Sequence, residues 1–343
     1  MALQALDTQT LLGVKIQLPK FTALFLQMFF PDVAEFHTEE IAFDKVKKNV
    51  KLAPFVAPMV SGKPNRKQGG TLTSFAPAYV KPTDNIRPGD MLKRRPGEPM
   101  GGSLTPVERR MAHIAQTLED QEKSITYREE LMAVQAVTTG LVTVSGEGYP
   151  TQVVDYGRSA ANNITLAGAA KWDTVDPLTY DPTDDIEDWA EKGSGTIGAM
   201  IFDKYAWRKF AAMKAVEEKL DTTSRGSTSS LELGPQVSKE VMYKGNFGEL
   251  EIYVYVGKYT DDNGVDQYYM PANTLVLAPL SGENVRAYGA IQDAKANANG
   301  VVAATRYPSN WYTDNPSVEW LQTQSAPLPV LVDADSFVAI TLF

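Results

Sequence analysis

Between residues 52 and 139 a basic stretch broken by proline and glycine runs directly into one long helix, and this junction limits the folds open to the chain. Thr105, Pro106 and Glu108 form a helix start: an N-cap hydroxyl, a proline at the first helical position and a carboxylate for the reciprocal cap. No glycine or proline follows until Gly140, a natural left-handed stop. Val107, Met111, Ile114, Leu118, Ile125, Met132 and Ala136 keep a helical rhythm. Arg109, Arg110, Glu119, Asp120, Glu122, Lys123, Arg128, Glu129 and Glu130 are expected to fill much of the remaining surface. At 1.5 Å per residue such a helix is about 50 Å long, far beyond the usual three turns. It is the one helix of this length in the chain, and strand-like segments follow it. We therefore expect a single spine packed on a sheet rather than a coiled coil.

The stretch before the helix predicts a ribbon. Residues 52–60 and 71–80 read as two strands joined by a turn over 62–70. Pro54, Pro58 and Pro77 keep them out of a central sheet position. A two-stranded ribbon is marginal alone in water, so this one needs a surface to lie on. Residues 61–100 hold eight Lys or Arg and three acids, a balance of +5 in a chain of net −9. Residues 173–191 hold eight acids and no base. A basic arm and an acidic body in one chain point to head-to-tail contact between copies, against the plain reading that both are solvated surface.

Composition removes several classes. The chain has no cysteine, so disulfides, zinc–thiolate sites and thiol catalysis are out. No apolar run approaches the length of a transmembrane helix. The N-terminus lacks the pattern of a signal peptide, and synthesis in the cytosol is expected. A net charge of −9 argues against a sequence-reading nucleic-acid binder, but not against a container whose lining avoids gripping the polymer.

Along the chain we expect an arm over residues 1–48 with an apolar anchor at 21–30, then the ribbon and the spine. A hairpin follows over 141–156, turning at 145–148. Residues 158–309 mix helix and strand: a helix opening at Asp184, a strand at 198–202 and one helix over 203–220. Strands at 249–256 and 267–270 are expected to face each other across 261–264, with another at 274–278 and an alternating closing strand over 329–343. The fold class is α+β.

Candidate chemistry is sparse. His37 and His113 are the only histidines, which leaves little for a Ser-His-Asp arrangement. Neither a phosphate loop nor a dinucleotide fingerprint is present. The one carboxylate cluster contains Asp181, Asp184, Asp185 and Asp188. It reads as a capped helix start, with Thr183 or Asp184 as the cap, or as a hard-metal site of a hydrolase. No cofactor is expected.

Ordered segments along nearly the whole chain resemble the lambda-type major capsid proteins, the phage capsid protein E family. They are FLQMFF at 25–30, VSG at 60–62, GG at 69–70 with FAPAYVKP at 75–82, ELMAVQAV at 130–137 and VDYGRS at 154–159 with NNIT at 162–165. YDPTDDI at 180–186, KAVEEKLD at 214–221, YKG at 243–245, IQDA at 291–294, RYPSNW at 306–311 and QSAPL at 324–328 complete the series.

The resemblance implies the HK97-like capsid fold, divided as an N-terminal arm over 1–48, an extended β-loop over 49–103, a peripheral domain with the spine helix over 104–157 and 310–343, and an axial domain over 158–309. It implies hexamers and pentamers of the chain closing into an icosahedral tailed-phage head around double-stranded DNA. It also implies a separate scaffolding protein during procapsid assembly, a portal at one vertex and a decoration protein at three-fold sites. No enzymatic activity and no membrane are expected. Some relatives crosslink a loop lysine to a neighbour; Lys63 and Lys67 match by position only, and this branch is not expected to crosslink. For contacts between subunits the charge pattern nominates Lys63, Arg66 and Lys67 against the acidic surface of Asp181, Asp184, Asp185 and Asp188. Other readings are an encapsulin-like compartment, a shell-decorating or adhesive module, and a metal-dependent hydrolase built on those four aspartates.

Overall fold

The arm contributes a short helix α1 (Leu24–Phe29) and strand β1 (Asp32–Glu35). Strands β2 (Ile41–Lys45), β3 (Thr71–Phe75) and β4 (Thr83–Ile86) and helix α2 (Pro88–Leu92) precede the long helix α3 (Pro106–Thr139). A hairpin of β5 (Leu141–Gly146) and β6 (Tyr149–Asp155) leads to β7 (Asn163–Thr165), α4 (Thr183–Ala190) and β8 (Ala199–Phe202). Then come α5 (Lys204–Phe210), α6 (Lys214–Lys219), β9 (Leu220–Asp221), β10 (Val241–Phe247), β11 (Leu250–Tyr255), β12 (Lys258–Thr260) and β13 (Asp266–Tyr268). The chain closes with β14 (Thr274–Ala278), β15 (Val285–Tyr288), α7 (Ala294–Ala298), β16 (Tyr307–Asp314), β17 (Ser317–Gln324), β18 (Pro327–Val330) and β19 (Val338–Thr341). This computed structural model describes residues 23–45, 71–93, 105–146, 149–221, 240–261, 263–298, 300, 303–315 and 317–343.

The long helix begins and ends where its sequence places it. The Thr105 hydroxyl accepts the Glu108 N–H, and the Glu108 carboxylate accepts the Thr105 N–H at 2.7 Å. Gly140 closes it with φ of 75°, its N–H returning to the Ala136 carbonyl. A Cβ at that position would stand 2.7 Å from Arg158 Cβ, so both backbone conformation and space call for glycine. The Arg158 guanidinium then adds a second donor to the Ala136 carbonyl and donates to the Val137 carbonyl, which the helix end would otherwise leave unpaired.

A seven-stranded mixed sheet, ordered β7-β19-β14-β8-β11-β10-β9, forms the centre. Both faces are covered, so its inner strands read as continuous apolar runs. Ile201, Tyr253, Tyr255 and Val276 point to one face, where Phe25, Phe29, Met132 and Val137 from α1 and α3 pack on them. Met200, Phe202, Ile252, Leu275 and Ile340 point to the other, beneath Ile186, Trp189, Phe210 and Val216 of the α4–α6 layer. The first half of α3 lies instead on a three-stranded sheet, β16-β17-β4, through Ile114, Leu118, Ile86 and Leu321. The apolar anchor of the arm is thus a core helix: Phe25, Phe29 and Phe30 have no exposed surface. Burial of each such side chain stabilises the subunit by about 1.5–3 kcal/mol.

Five expectations need correction. Strand β3 pairs with β2, Ile41 opposite Phe75 and Lys45 opposite Thr71, so the ribbon starts inside the segment assigned to the arm. Ile41 is buried in the main core with Phe75 against it, which fixes this pairing. The expected strand 52–60 and turn 62–70 lie outside the described residues. The helix expected over 203–220 is two helices, because a straight one would overrun the four-residue strand β8; the bend at 211–213 brings Met213 and Val216 back onto the sheet. Strand β11 pairs with β10, which the sequence reading missed, while the turn at 261–264 joins β12 and β13. The closing strand β19 does not alternate: it lies inside the seven-stranded sheet between β7 and β14, buried over Val338, Ala339 and Ile340. Finally, Val107 and Met111 are exposed, 68% and 37%, while Arg110 between them turns to the three-stranded sheet.

Candidate assembly surfaces and the buried seam of the long helix

The buried stripe of α3 runs through positions 110, 114, 118, 121, 125, 129, 132 and 136, the three- and four-residue steps of one helix face. Polar residues occupy three of its rungs, and partners across the subunit satisfy each. The Arg110 guanidinium donates to both Glu319 oxygens at 2.8 and 2.7 Å and to the Tyr312 hydroxyl at 2.6 Å. Gln121 donates to the Asp84 carboxylate and the Leu321 carbonyl and accepts from Thr323. Arg306 donates to both Glu129 oxygens at 2.7 and 2.8 Å and to Ser325. Burial works against the Arg306 cation, but Glu129 and Glu122 outweigh it and hold the guanidinium firmly protonated.

Glu130, beside this stripe, is fully buried and does different work. Ala23 offers no capping side chain at the start of α1. The Glu130 carboxylate supplies the cap from 105 residues away, accepting the Phe25 and Leu26 N–H groups at 3.0 and 3.1 Å and the Tyr255 hydroxyl at 3.0 Å. Burial pushes its carboxyl up to about 7, against the three hydrogen bonds that favour the anion. The arm is therefore tied to the spine helix by a remote carboxylate and by Phe25 against Tyr255, ring centres 5.4 Å apart.

Arg110, Glu129 and Glu130 were expected on the surface and are buried. The signal was in the spacing: the rhythm of 114, 118, 125, 132 and 136 skips 121 and 129, which lie on the same face. In β17, Glu319 likewise shares a face with Leu321 and Thr323 by strand alternation.

The nominated contact residues stand as follows. Lys63, Arg66 and Lys67 lie outside the described residues. Asp181 is engaged within its own subunit: its carboxylate meets the Lys219 ammonium at 2.6 Å and accepts the Thr183 N–H and hydroxyl, which hold it down to about 2. Pro182, not Thr183 or Asp184, stands at the N-cap position of α4. Asp185 accepts the Tyr180 hydroxyl. Asp184 and Asp188 face solvent. Among the described residues no three acids or histidines converge as a metal set would require, so the hydrolase reading has no geometric support.

Helix α3 thus spans two sheets, β1 adds to the β15–β18 sheet, and β2 and β3 pair as a separate ribbon. A solved structure described as the capsid protein of a prophage of E. coli CFT073 superposes with a TM-score of 0.81 at 33% identity, covering 99% of this chain and 100% of that one. The model for the phage major capsid protein E family matches residues 7–342, and the chain belongs to that family. The major capsid proteins of Escherichia phages N15 and lambda are 44% and 42% identical over 337 residues, 98% of each chain. The role of the chain is that of a major capsid protein, a structural subunit that assembles into a phage head, as the sequence resemblance implied. The same relatives favour a phage head over an encapsulin-like compartment or a decorating module.

Proposed function

We propose that copies of this chain form hexameric and pentameric rings that close into an icosahedral head around double-stranded DNA, without catalysis or a bound cofactor. The division into arm (1–48), extended loop (49–103), peripheral domain (104–157 and 310–343) and axial domain (158–309) belongs to this proposal. So do a scaffolding protein, a portal, a decoration protein at three-fold sites and assembly in the host cytoplasm. One observation carries it: β2 and β3 pair only with each other among the described strands. Ile41 and Phe75 anchor one end of this ribbon on the subunit's own core; beyond that anchor such a ribbon gains stability from a surface beneath it, and a neighbouring copy offers one. Interfaces of standard size bury about 1,600 Å² in total, and repeated around each subunit they close a shell though each is modest.

Within this proposal Lys63, Arg66 and Lys67 meet a neighbour's acidic surface around Asp181, Asp184, Asp185 and Asp188. Reversing the three loop charges together blocks ring or shell formation while leaving the subunit folded, as negative-stain microscopy and circular dichroism of the same preparation would record. Normal shells from the triple variant would remove this contact.

A further inference from the structure

On the outer layer of the seven-stranded sheet, α5, β10, β11 and the β12–β13 hairpin enclose a groove of about 480 Å³. Its walls carry Lys204, Arg208, Lys244 and Lys258 and no acid. Two of the cations are held by aromatic faces: the Lys244 ammonium stands 5.8 Å from the Trp207 ring centre and that of Lys258 4.8 Å from Tyr268. None of the four forms an ion pair among the described residues. No ion pair among the described residues offsets their mutual repulsion, and an anionic occupant would relieve it.

The matching surface is on α4. Its first-turn acids, Asp184 and Asp185, suit the positive end of the helix, but Glu187, Asp188 and Glu191 crowd the last turn, where no base is present. Acids there oppose the helix dipole and gain from an external cation. All three are exposed and form no ion pair among the described residues. No ion pair joins them to the groove of their own subunit among the described residues. Helix α4 leads into the start of β8, and the groove opens past its end at Lys204, four strand residues later.

We propose that the groove receives the acidic last turn of α4 from a second copy, with Lys244 and Lys258 facing Glu187 and Glu191. This rests on the shell-building reading and names one contact within it. Two different patches of the same chain make a heterologous, head-to-tail contact, and such contacts close rings when the rotation permits. Single exposed ion pairs are weak, so the aromatic-held cations acting together carry the recognition.

The chain has no cysteine, which allows a direct test. Full-length Lys258→Cys and Glu187→Cys variants are mixed, assembled or concentrated, and treated with a bis-maleimide with a spacer of about 10 Å, since a disulfide requires Cα atoms within about 7 Å. Linked dimer should exceed that from Lys258→Cys mixed with Val153→Cys, an exposed control on β6, by roughly 10-fold or more through local concentration. Equal yields in the two mixtures would overturn the contact. Charge reversal offers a second reading: Lys244→Glu with Lys258→Glu, and Glu187→Lys with Glu191→Lys, each reduce ring formation, and the combined variant restores it. A combined variant no better than either parent overturns the proposal. Shells that form without the 187–258 link reject the groove alone, whereas a chain that stays monomeric at high concentration rejects the shell reading itself.

Discussion

Helices α3 and α4 are both rich in charge, and the subunit uses that charge in opposite ways. Along α3, Arg110, Gln121 and Glu129 enter the buried stripe and find partners on β17, at Asp84 beside it and at Arg306. Along α4, Ile186 and Trp189 take the sheet face and Asp184, Glu187 and Asp188 stay in solvent. The difference follows from what covers each helix. Two sheets and the arm surround α3, so any side chain on its inner face must be paired. One sheet covers α4, and its outer face is left for water or for another molecule.

The largest effect is expected in the α3 seam. Glu129→Ala leaves the Arg306 guanidinium, 4% exposed, without its bidentate carboxylate and with only the Glu122 carboxylate at 3.4 Å. The cost should be about 3–5 kcal/mol in urea unfolding, against about 0.5 kcal/mol or less for Asp184→Ala. Replacing both partners, Glu129→Met with Arg306→Leu, should recover much of the loss, because the desolvation of two ions is removed together. Equal costs for Glu129→Ala and Asp184→Ala would erase the contrast between the helices.

An intermediate effect concerns Glu130 and pH. Its folded-state carboxyl stands at about 7 against an ordinary 4.5, so the native state holds a proton that the unfolded chain has released between those values. Its contribution to stability therefore declines as pH rises through that window, and is largest below it. Glu130→Gln should flatten this part of the profile of urea midpoint against pH, while removing one acceptor from the α1 start. An unchanged slope between pH 4.5 and 7 in that variant would show that the arm cap does not titrate there.

The smallest effect is expected on the acidic side. Asp181 and Lys219 are each 46% exposed, so Lys219→Ala should cost less than about 1 kcal/mol. The lowered Asp181 carboxyl, about 2 against 3.8, means that this contribution is present above pH 3.8 and lost as pH falls through about 2. A larger loss at neutral pH would place this pair with the seam rather than with the surface.

Local chemistry settled the parts of this protein that depend on neighbours in sequence. The boundaries of α3 were legible because Thr105, Pro106, Glu108 and Gly140 fix the backbone within a few residues of themselves. The β5–β6 hairpin and strand β14 were legible for the same reason, and the ordered family segments identified the shell subunit. Tertiary structure alone decided which strand faces which, since β2 with β3 and β19 inside the central sheet join segments far apart in the chain. It also decided the fate of charge. Arg110, Glu129 and Glu130 look like their exposed neighbours in composition, and only partners 105 to 209 residues away turn them into a buried seam. The pairing energy of a charge depends on what surrounds it in space, and a linear sequence does not contain that quantity.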